Sequence, residues 1–191
     1  QGLMQDTPLT LPHFFHRAER LFPDKEIVTA TAVGRERRTY GEWAERTRRL
    51  GVEWVSAVLH IGLDTFRPVS EERVEDHRIH SEYCYLSTAA AEVINRAKAE
   101  RRRVIAVGTT SVRLLETAAG GADQTASEGA PVRPWDGPTD LFIIPGYRFR
   151  VVDALVTNLH LPRSSLLLLV SAFAGRDLIM RAYEEAIREG Y

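Results

Sequence analysis

The sequence has 191 residues, of which 44% are hydrophobic and 27% charged, and its formal net charge is −1 at pH 7. These values fit one globular domain with a small appendage, and they exclude global disorder. The balanced charge also excludes a protein whose whole surface is basic, so any contact with RNA requires a local basic patch.

The first fifty residues predict a small α+β unit. Apolar residues at helical spacing predict a helix over 13–21, and Pro23 follows as its stop. Weak alternation over 26–32 and a return over 37–40 predict a hairpin. A second amphipathic helix then ends near Gly51, which fits a C-terminal cap. The N-terminus has no basic region followed by an apolar run, which predicts a cytoplasmic protein without a signal peptide.

The next stretch predicts a strand over 53–59 and then the loop from His60 to Val69. Gly62 in that loop permits a close approach of the backbone to a ligand. The only cysteine, Cys84, excludes an internal disulfide and fits a reducing compartment.

Two groups of side chains have spacings that a metal site could use. His13 and His16 lie three residues apart on the first predicted helix, and His77, His80 and Glu82 lie close together further on. Neither group has a cysteine partner or a His-Glu-x-x-His pattern. We therefore predict no metal: the first pair faces solvent, and the second group has acid–base, substrate-contact or plain surface roles.

A strand, a loop and a helix follow one another in the middle of the chain. An alanine-rich helix over 88–102 precedes the β-branched strand 104–107, which is typical of a buried parallel strand. Gly108, Thr109 and Thr110 then lead into a helix over 111–119. Free backbone N–H groups and the helix dipole at such a place can hold an anion or a nucleotide. The loop is neither a Walker loop nor a GxGxxG fingerprint, so alone it is a weak signal.

The last third of the chain begins with a segment rich in Gly, Ala, Ser, Asp and Pro over 118–138, which predicts a surface loop. The dipeptide Pro145-Gly146 then predicts a turn, and residues 140–144 and 147–153 on either side of it predict a hairpin or two linked strands.

The final elements are a strand over 151–156, a polar loop and helices over 165–174 and 177–189. The apolar run in the first helix is too short to cross a bilayer, which takes about 20 residues. The loop carries Thr157, Asn158, His160 and Arg163. At the carboxyl end of a strand these groups can bind a ligand, and the alternative is that they only cap the helix and close the turn.

These elements predict an α/β fold in which a mixed, partly parallel sheet is flanked by helices, with a small N-terminal α+β appendage. The predicted domains are 1–51 and 52–191. The core is expected around strands 53–59, 104–107 and 151–156.

The appendage resembles the start of acyl-CoA synthetases of the adenylate-forming superfamily. The matching pieces are LPHFFHRAERLFPDKEIVTA and RTYGEWAERTRRLG. They contain none of that family's phosphate-binding or adenylation motifs, so no ligase activity is implied.

Residues from about 50 to 191 resemble the C-terminal part of the S-adenosylmethionine:tRNA ribosyltransferase-isomerase family of queuosine biosynthesis. The motifs that carry this resemblance occur in the family's order: LHIGLDTFRPV, EDHRIHSE, INRAKAERRRVIAVGTTSVRLLE, LFIIPGYRFRVVDALVTNLHLPRSSLLLLVSAFAG and AYEEAIREGY. The resemblance implies transfer and isomerisation of the ribosyl group of S-adenosylmethionine, which is consumed as a substrate. The implied acceptor is a 7-aminomethyl-7-deazaguanine at the wobble position of a tRNA with a GUN anticodon. The implied products are epoxyqueuosine, adenine and methionine.

The resemblance also implies the site residues. The candidates for acid–base or sulfonium contacts are His60, His77, His80, Glu82 and His160. The candidates for holding S-adenosylmethionine are Gly62, Thr65, Phe66, Gly108, Thr109, Thr110, Arg113, Thr157, Asn158 and Arg163.

The sequence departs from the family in its first part. The family's N-terminal half, with an inserted β-rich domain, has no counterpart, and the synthetase-like piece stands in its place with a join over 48–51. This predicts a chimeric chain whose exposed apolar surface favours self-association. The alternatives to an enzyme are a non-catalytic fragment that at most binds S-adenosylmethionine or tRNA, and an acyl-CoA synthetase-related protein.

Overall fold

The computed structural model describes residues 11–31, 34–62, 69–71, 73–120 and 131–190. The chain divides into two compact units, Gln1–Ser56 and Ala57–Tyr191. The predicted division into 1–51 and 52–191 lies five residues before this boundary, and the separate origin of the two parts stays a prediction.

The first unit is a helix, a hairpin and a second helix. It contains α1 (Leu11–Leu21), β1 (Glu26–Thr31), β2 (Gly34–Thr39) and α2 (Tyr40–Arg49). The strands pair antiparallel, with Glu26 opposite Thr39. A capping box starts α2, because the Thr39 hydroxyl accepts the Glu42 N–H at 3.2 Å and the Glu42 carboxylate accepts the Thr39 N–H at 2.9 Å. The predicted helices and hairpin are therefore confirmed for this unit.

A small aromatic cluster stabilises the first unit. Phe15 is buried, and its ring lies 5.0 Å from that of Trp43 and 5.5 Å from that of Trp54. Such edge-on and tilted contacts add to the stabilisation from burial. The side chain of His13 lies outside the described residues, while His16 is exposed.

Within its described residues, the second unit contains a three-stranded sheet, a two-stranded sheet, four α-helices and a short 3-10 helix over Val74–Asp76. Its elements are β3 (Val58–His60), β4 (Glu82–Leu86), α3 (Thr88–Ala99), β5 (Ile105–Val107), α4 (Thr109–Ala118), β6 (Trp135–Thr139), β7 (Ala154–Val156), α5 (Ser165–Ala174) and α6 (Arg176–Arg188). β3, β4 and β6 form an antiparallel sheet in that order, and β5 pairs parallel with β7. The mixed, partly parallel α/β fold is therefore confirmed. None of the described helices is long and apolar enough to cross a membrane.

The core of the second unit lies between the sheets and helices α3, α4 and α5. Its most deeply buried apolar side chains are Cys84, Leu86, Val112, Leu114, Ile143 and Val151. Ser87 caps α3 and Ser164 caps α5, each through its hydroxyl oxygen. The four predicted helices of this unit are confirmed to within three residues at each end.

Two strand predictions and one loop prediction between residues 53 and 153 were wrong. The strand expected over 53–59 is confined to Val58–His60 and lies in the antiparallel sheet instead of beside β5. Residues 140–153, all of which are described, form no strand, so the expected hairpin is absent. The end of the expected loop over 118–138 is β6, which pairs with β4. Residues 121–130 of that loop lie outside the described residues.

Candidate functional site

The two strands of the parallel pair end together and present two loops at one edge. The register places Val107 opposite Val156, and the N–H of Gly108 donates to the Val156 carbonyl at 2.9 Å. The residues that follow are Gly108 to Thr110 after β5 and Thr157 to His160 after β7. The sequence predicted both loops, and the structure brings them together at the carboxyl ends of the strands, where α/β proteins bind ligands.

The first loop turns directly into α4. Gly108 is the N-cap residue of this helix with φ of +90°, a conformation that favours glycine. A glycine has no side chain with which to cap the helix, so the first turn of α4 keeps backbone N–H groups that can meet an anion or a carboxylate. The Ser111 hydroxyl donates to the Val107 carbonyl at 2.8 Å and fixes the turn, while Thr109 and Thr110 are buried.

The second loop places an imidazole beside a hydroxyl. The Nε2 atom of His160 lies 3.1 Å from the Thr157 Oγ1 atom, and the His160 N–H donates to the Tyr183 Oη atom at 2.6 Å. Burial lowers the pKa of His160 below its ordinary value. A neutral imidazole is therefore the stable form at neutral pH, and it can accept a proton. Tyr183 contacts the loop from α6, and no local pattern in the sequence links it to His160.

Two further hydrogen bonds hold the rest of this loop in place. The Asn158 side chain accepts the Leu159 N–H at 2.9 Å. Arg163 has φ of +57°, which is uncommon for a residue with a side chain, and its carbonyl accepts the Val69 N–H at 2.7 Å. That bond joins the loop to Val69, which precedes His77 and His80 in the chain.

An open groove lies between this loop and the last helix. Its volume is about 460 Å³, and it is lined by Thr157, Asn158, Leu159, Ala182, Glu185, Ala186 and Glu189. Clefts for small ligands span roughly 300–1,000 Å³. The groove therefore has room for part of a small ligand that also contacts Thr157 and Asn158.

His77 forms a dyad with a carboxylate. Its Nδ1 atom lies 2.7 Å from Glu71 Oε2, and its ring lies 5.4 Å from that of Phe142. The hydrogen bond from His77 lowers the pKa of Glu71, which keeps that carboxylate charged. A carboxylate that orients one ring nitrogen leaves the other nitrogen to exchange a proton. The sequence did not predict a role for Glu71, because no local pattern links it to His77, six residues further along an irregular segment.

Three candidates meet in a buried cluster instead of at an open surface. Arg113 Nη1 lies 2.6 Å from Glu82 Oε2, and both side chains are buried. The His80 Nε2 atom lies 3.4 Å from Arg113 Nη1 and 3.5 Å from Glu82 Oε1. The guanidinium also donates to the backbone carbonyls of His80, Thr139 and Leu141.

These contacts give Arg113 a structural role. A guanidinium has five N–H donors, and the cluster engages Nε and both terminal nitrogens within the protein. Burial lowers the pKa of Arg113 and the Glu82 carboxylate opposes that effect. Arg113 therefore joins α4 to β4 and β6, and its expected role in holding S-adenosylmethionine stays a prediction.

The remaining candidates are His60 and Gly62, which the structure describes, and Thr65 and Phe66, which it does not. His60 is exposed on β3, and its ring lies 5.9 Å from that of Tyr83, whose hydroxyl donates to Asp136 at 2.5 Å. For Gly62, no described atom lies within 4 Å of the position that a Cβ atom would occupy. Thr65 and Phe66 lie outside the described residues. Over the described ranges no three His, Cys, Asp or Glu side chains are placed to hold a metal ion.

Comparison with known proteins gives one consistent family. The family model described as a queuosine biosynthesis protein matches residues 30–191. The S-adenosylmethionine:tRNA ribosyltransferase-isomerases of Heliobacterium modesticaldum and Desulforamulus reducens are 52% and 53% identical to the chain over 77% and 78% of its length. The matches cover 41% and 42% of those relatives, so the chain spans about two fifths of their length.

A solved structure gives the same result. The crystal structure of an S-adenosylmethionine tRNA ribosyltransferase from Thermotoga maritima has a TM-score of 0.56 and 38% identity, and the likeness covers 76% of this chain and 43% of that one. These matches do not show the acyl-CoA synthetase resemblance expected for residues 4–50. The family match begins at residue 30, which lies inside that segment.

Proposed function

The chain belongs to the queuosine biosynthesis protein family, and from that premise we propose that it acts as an S-adenosylmethionine-dependent tRNA ribosyltransferase-isomerase. The observation that carries the proposal is the paired strand ends, where the Gly108 N–H donates to the Val156 carbonyl at 2.9 Å. That pairing sets the N-terminus of α4 beside a loop with a neutral imidazole. An anion-binding helix end and a general base side by side suit a substrate with both a carboxylate and an acidic C–H bond.

The proposed reaction takes place on tRNA in the cytoplasm. The ribosyl group of S-adenosylmethionine moves to the aminomethyl group of a 7-deazaguanine at the wobble position of a tRNA with a GUN anticodon. Epoxyqueuosine forms, and adenine and methionine leave. The relatives' names supply the substrate S-adenosylmethionine and the tRNA.

His160 is the proposed base. The positive sulfonium makes the neighbouring C–H bond acidic, and a neutral imidazole can remove that proton at neutral pH. The lowered pKa of His160 keeps it unprotonated, and the Thr157 hydroxyl at 3.1 Å holds the ring. His160 therefore starts the reaction by accepting a proton on a ring nitrogen.

His77 is the proposed acid that helps adenine leave. The Glu71 carboxylate 2.7 Å from its Nδ1 atom orients the ring, so the other ring nitrogen can give a proton to the departing base. His80 and Glu82 position this segment through Arg113, and His60 is a further candidate for a substrate contact from β3.

The proposed binding groups lie on both loops. Gly108, Thr109 and Thr110 hold the carboxylate or the ribose of S-adenosylmethionine at the start of α4. The facing loop and the glycine-containing segment after β3 supply the other contacts, from Thr157, Asn158, Arg163, Gly62, Thr65 and Phe66.

Adenine release tests the proposal. The chain is incubated with S-adenosylmethionine and a tRNA that carries the 7-aminomethyl-7-deazaguanine, and adenine is measured by chromatography. We expect release that depends on the modified tRNA and falls at least about a hundredfold in a His160→Gln variant, because a general base contributes about 10²–10⁴ in rate. A His16→Gln variant, altered at an exposed histidine of the first unit, is the control.

Two observations favour a second function. The chain spans about two fifths of its relatives, and its net charge of −1 offers tRNA no broad basic surface. A module that binds S-adenosylmethionine or tRNA without turnover fits both facts. Saturable binding of S-adenosylmethionine without adenine release identifies that module.

A further inference from the structure

The end of α3 has an arginine in a backbone conformation that favours glycine. Arg101 has φ of +56°, a left-handed conformation in which a Cβ atom is crowded. Its N–H donates to the Lys98 carbonyl at 3.0 Å, and the Arg102 N–H donates to the Ala97 carbonyl at 2.8 Å. These two bonds form a Schellman motif, whose left-handed residue is usually glycine.

Three consecutive arginines follow the helix. Arg101 and Arg103 are exposed, and neither side chain forms a hydrogen bond or an ion pair within the part of the chain that the structure describes. The Arg102 Nε atom, by contrast, donates to Glu100 Oε2 at 2.8 Å. We call these three arginines the arginine turn.

The charge around the arginine turn differs in sign from that of the whole chain. Residues 96–103, with the sequence RAKAERRR, contain five basic side chains and one acidic side chain, whereas the formal net charge of the chain is −1. Asp153 pairs with Lys98 at 2.9 Å, and Glu100 pairs with Arg102. The charges of Arg101 and Arg103 are therefore available to a partner.

Solvation of a charged surface does not account for Arg101. Arg102 and Arg103 supply positive charge at the same place with negative φ angles, and glycine at position 101 would relieve the strain. A side chain in a costly backbone conformation therefore fits a contact with a partner.

We infer that the arginine turn contacts the phosphate backbone of the tRNA, an inference that rests on the proposed function. Guanidinium groups bind phosphate oxygens through pairs of N–H donors. The turn precedes β5 and the Gly108 loop follows it, so three strand residues, roughly 10 Å at about 3.3 Å each, separate the two. A stacked nucleic-acid strand advances about 3.4 Å per nucleotide. One tRNA can therefore place its wobble base at the Gly108 loop and a phosphate a few nucleotides away at the turn.

Binding of tRNA at several salt concentrations tests the inference. The probe is a fluorescent tRNA transcript with a GUN anticodon, titrated with the full 191-residue chain without S-adenosylmethionine. We expect Arg101→Gly combined with Arg103→Gln to weaken binding about tenfold at about 50 mM salt. The slope of log K against log salt should become shallower by about 1.4–1.8, because two phosphate contacts are lost.

The single substitution Arg101→Gly separates a lost contact from a lost fold. Glycine removes the charge and also relieves the positive φ, so tRNA binding should fall while the melting temperature rises by about 2–4 °C. Arg181→Gln, at an exposed arginine of α6, should change neither quantity.

Four results overturn the inference: no tRNA binding by the wild type, equal affinity and salt slope in the double variant, equal weakening by Arg181→Gln, or a lowered melting temperature in Arg101→Gly. Binding to phosphatidylglycerol vesicles that the double variant loses, with tRNA binding unchanged, would assign the turn to a membrane and also overturn it. Adenine release without any effect of the arginines on binding refutes the inference alone. Binding of tRNA that depends on the arginines, without adenine release, supports the inference and refutes the proposed activity.

Discussion

Glu116 on α4 accepts the backbone N–H of Val151 at 3.0 Å, although the two residues lie 35 positions apart in the sequence. The same carboxylate accepts the N–H groups of Arg150 and Val152 and the hydroxyl of Tyr147. It is completely buried. One side chain thus joins the segment before β7 to α4, the helix that follows Gly108.

Glu116→Gln should destabilise the protein strongly. The amide keeps one acceptor oxygen and turns two donors toward backbone N–H groups, so buried donors lose their partners at about 1–3 kcal/mol each. We expect the free energy of unfolding to fall by about 3 kcal/mol in urea denaturation. Glu92→Gln, an exposed glutamate of α3, should change it by less than about 0.5 kcal/mol. Equal effects of the two substitutions would show that the Glu116 contacts carry no special stability.

Arg113→Lys should also destabilise the second unit. Lysine cannot reproduce the planar fork that contacts Glu82, Thr139 and Leu141, so a buried carboxylate and two carbonyls lose donors. Breaking a buried ion pair costs about 3–5 kcal/mol. Thermal unfolding followed by circular dichroism measures the loss, with Arg181→Lys on the exposed surface of α6 as the control. A melting temperature unchanged from wild type would show that these contacts of Arg113 contribute little to stability.

The thiol of Cys84 should be unreactive in the folded protein. Burial raises its pKa to about 11, and the nearby Glu82 carboxylate adds to that shift. Since the thiolate is the reactive form, a thiol reagent at pH 8 should modify Cys84 only after the chain unfolds. Rapid modification under native conditions would mean that β4 does not lie in the core.

His160 should titrate below its ordinary pKa of 6.5, because burial disfavours its charged form. As the pH falls below 6.5 the unfolded chain takes up the proton first. The contribution of His160 to stability is therefore present above 6.5 and is lost as the pH falls toward the folded pKa. Nuclear magnetic resonance of the imidazole protons, assigned with a His160→Gln variant, measures the midpoint. A midpoint at or above 6.5 in the folded protein would remove the argument for His160 as a base.

The helices could be predicted because their signals are local. The hydroxyl caps Ser87 and Ser164, the apolar periodicity and Gly108 all lie within a few residues of the ends that they define. The loops of the site followed from the same signals, since they come after short β-branched strands.

The rest of the fold depends on partners that are distant in the sequence. β6 contains Gly137 and Pro138, which locally disfavour a strand, but it forms an edge strand against β4, where proline is tolerated. The segment over 140–153 has the pattern of a hairpin, yet Glu116 accepts the N–H groups that a partner strand would have bound. The site contacts of Tyr183 and Glu71 likewise come from other elements, so no spacing in the sequence could reveal them.

Calorimetric titration of S-adenosylmethionine into the purified chain shows whether the loops at Gly108 and Thr157 form the substrate site. We expect saturable binding that a His160→Ala substitution weakens and that the control substitution His16→Ala leaves unchanged. No binding heat at millimolar S-adenosylmethionine, or equal binding by the wild-type chain and His160→Ala, would contradict the claim that the loops at Gly108 and Thr157 form the substrate site.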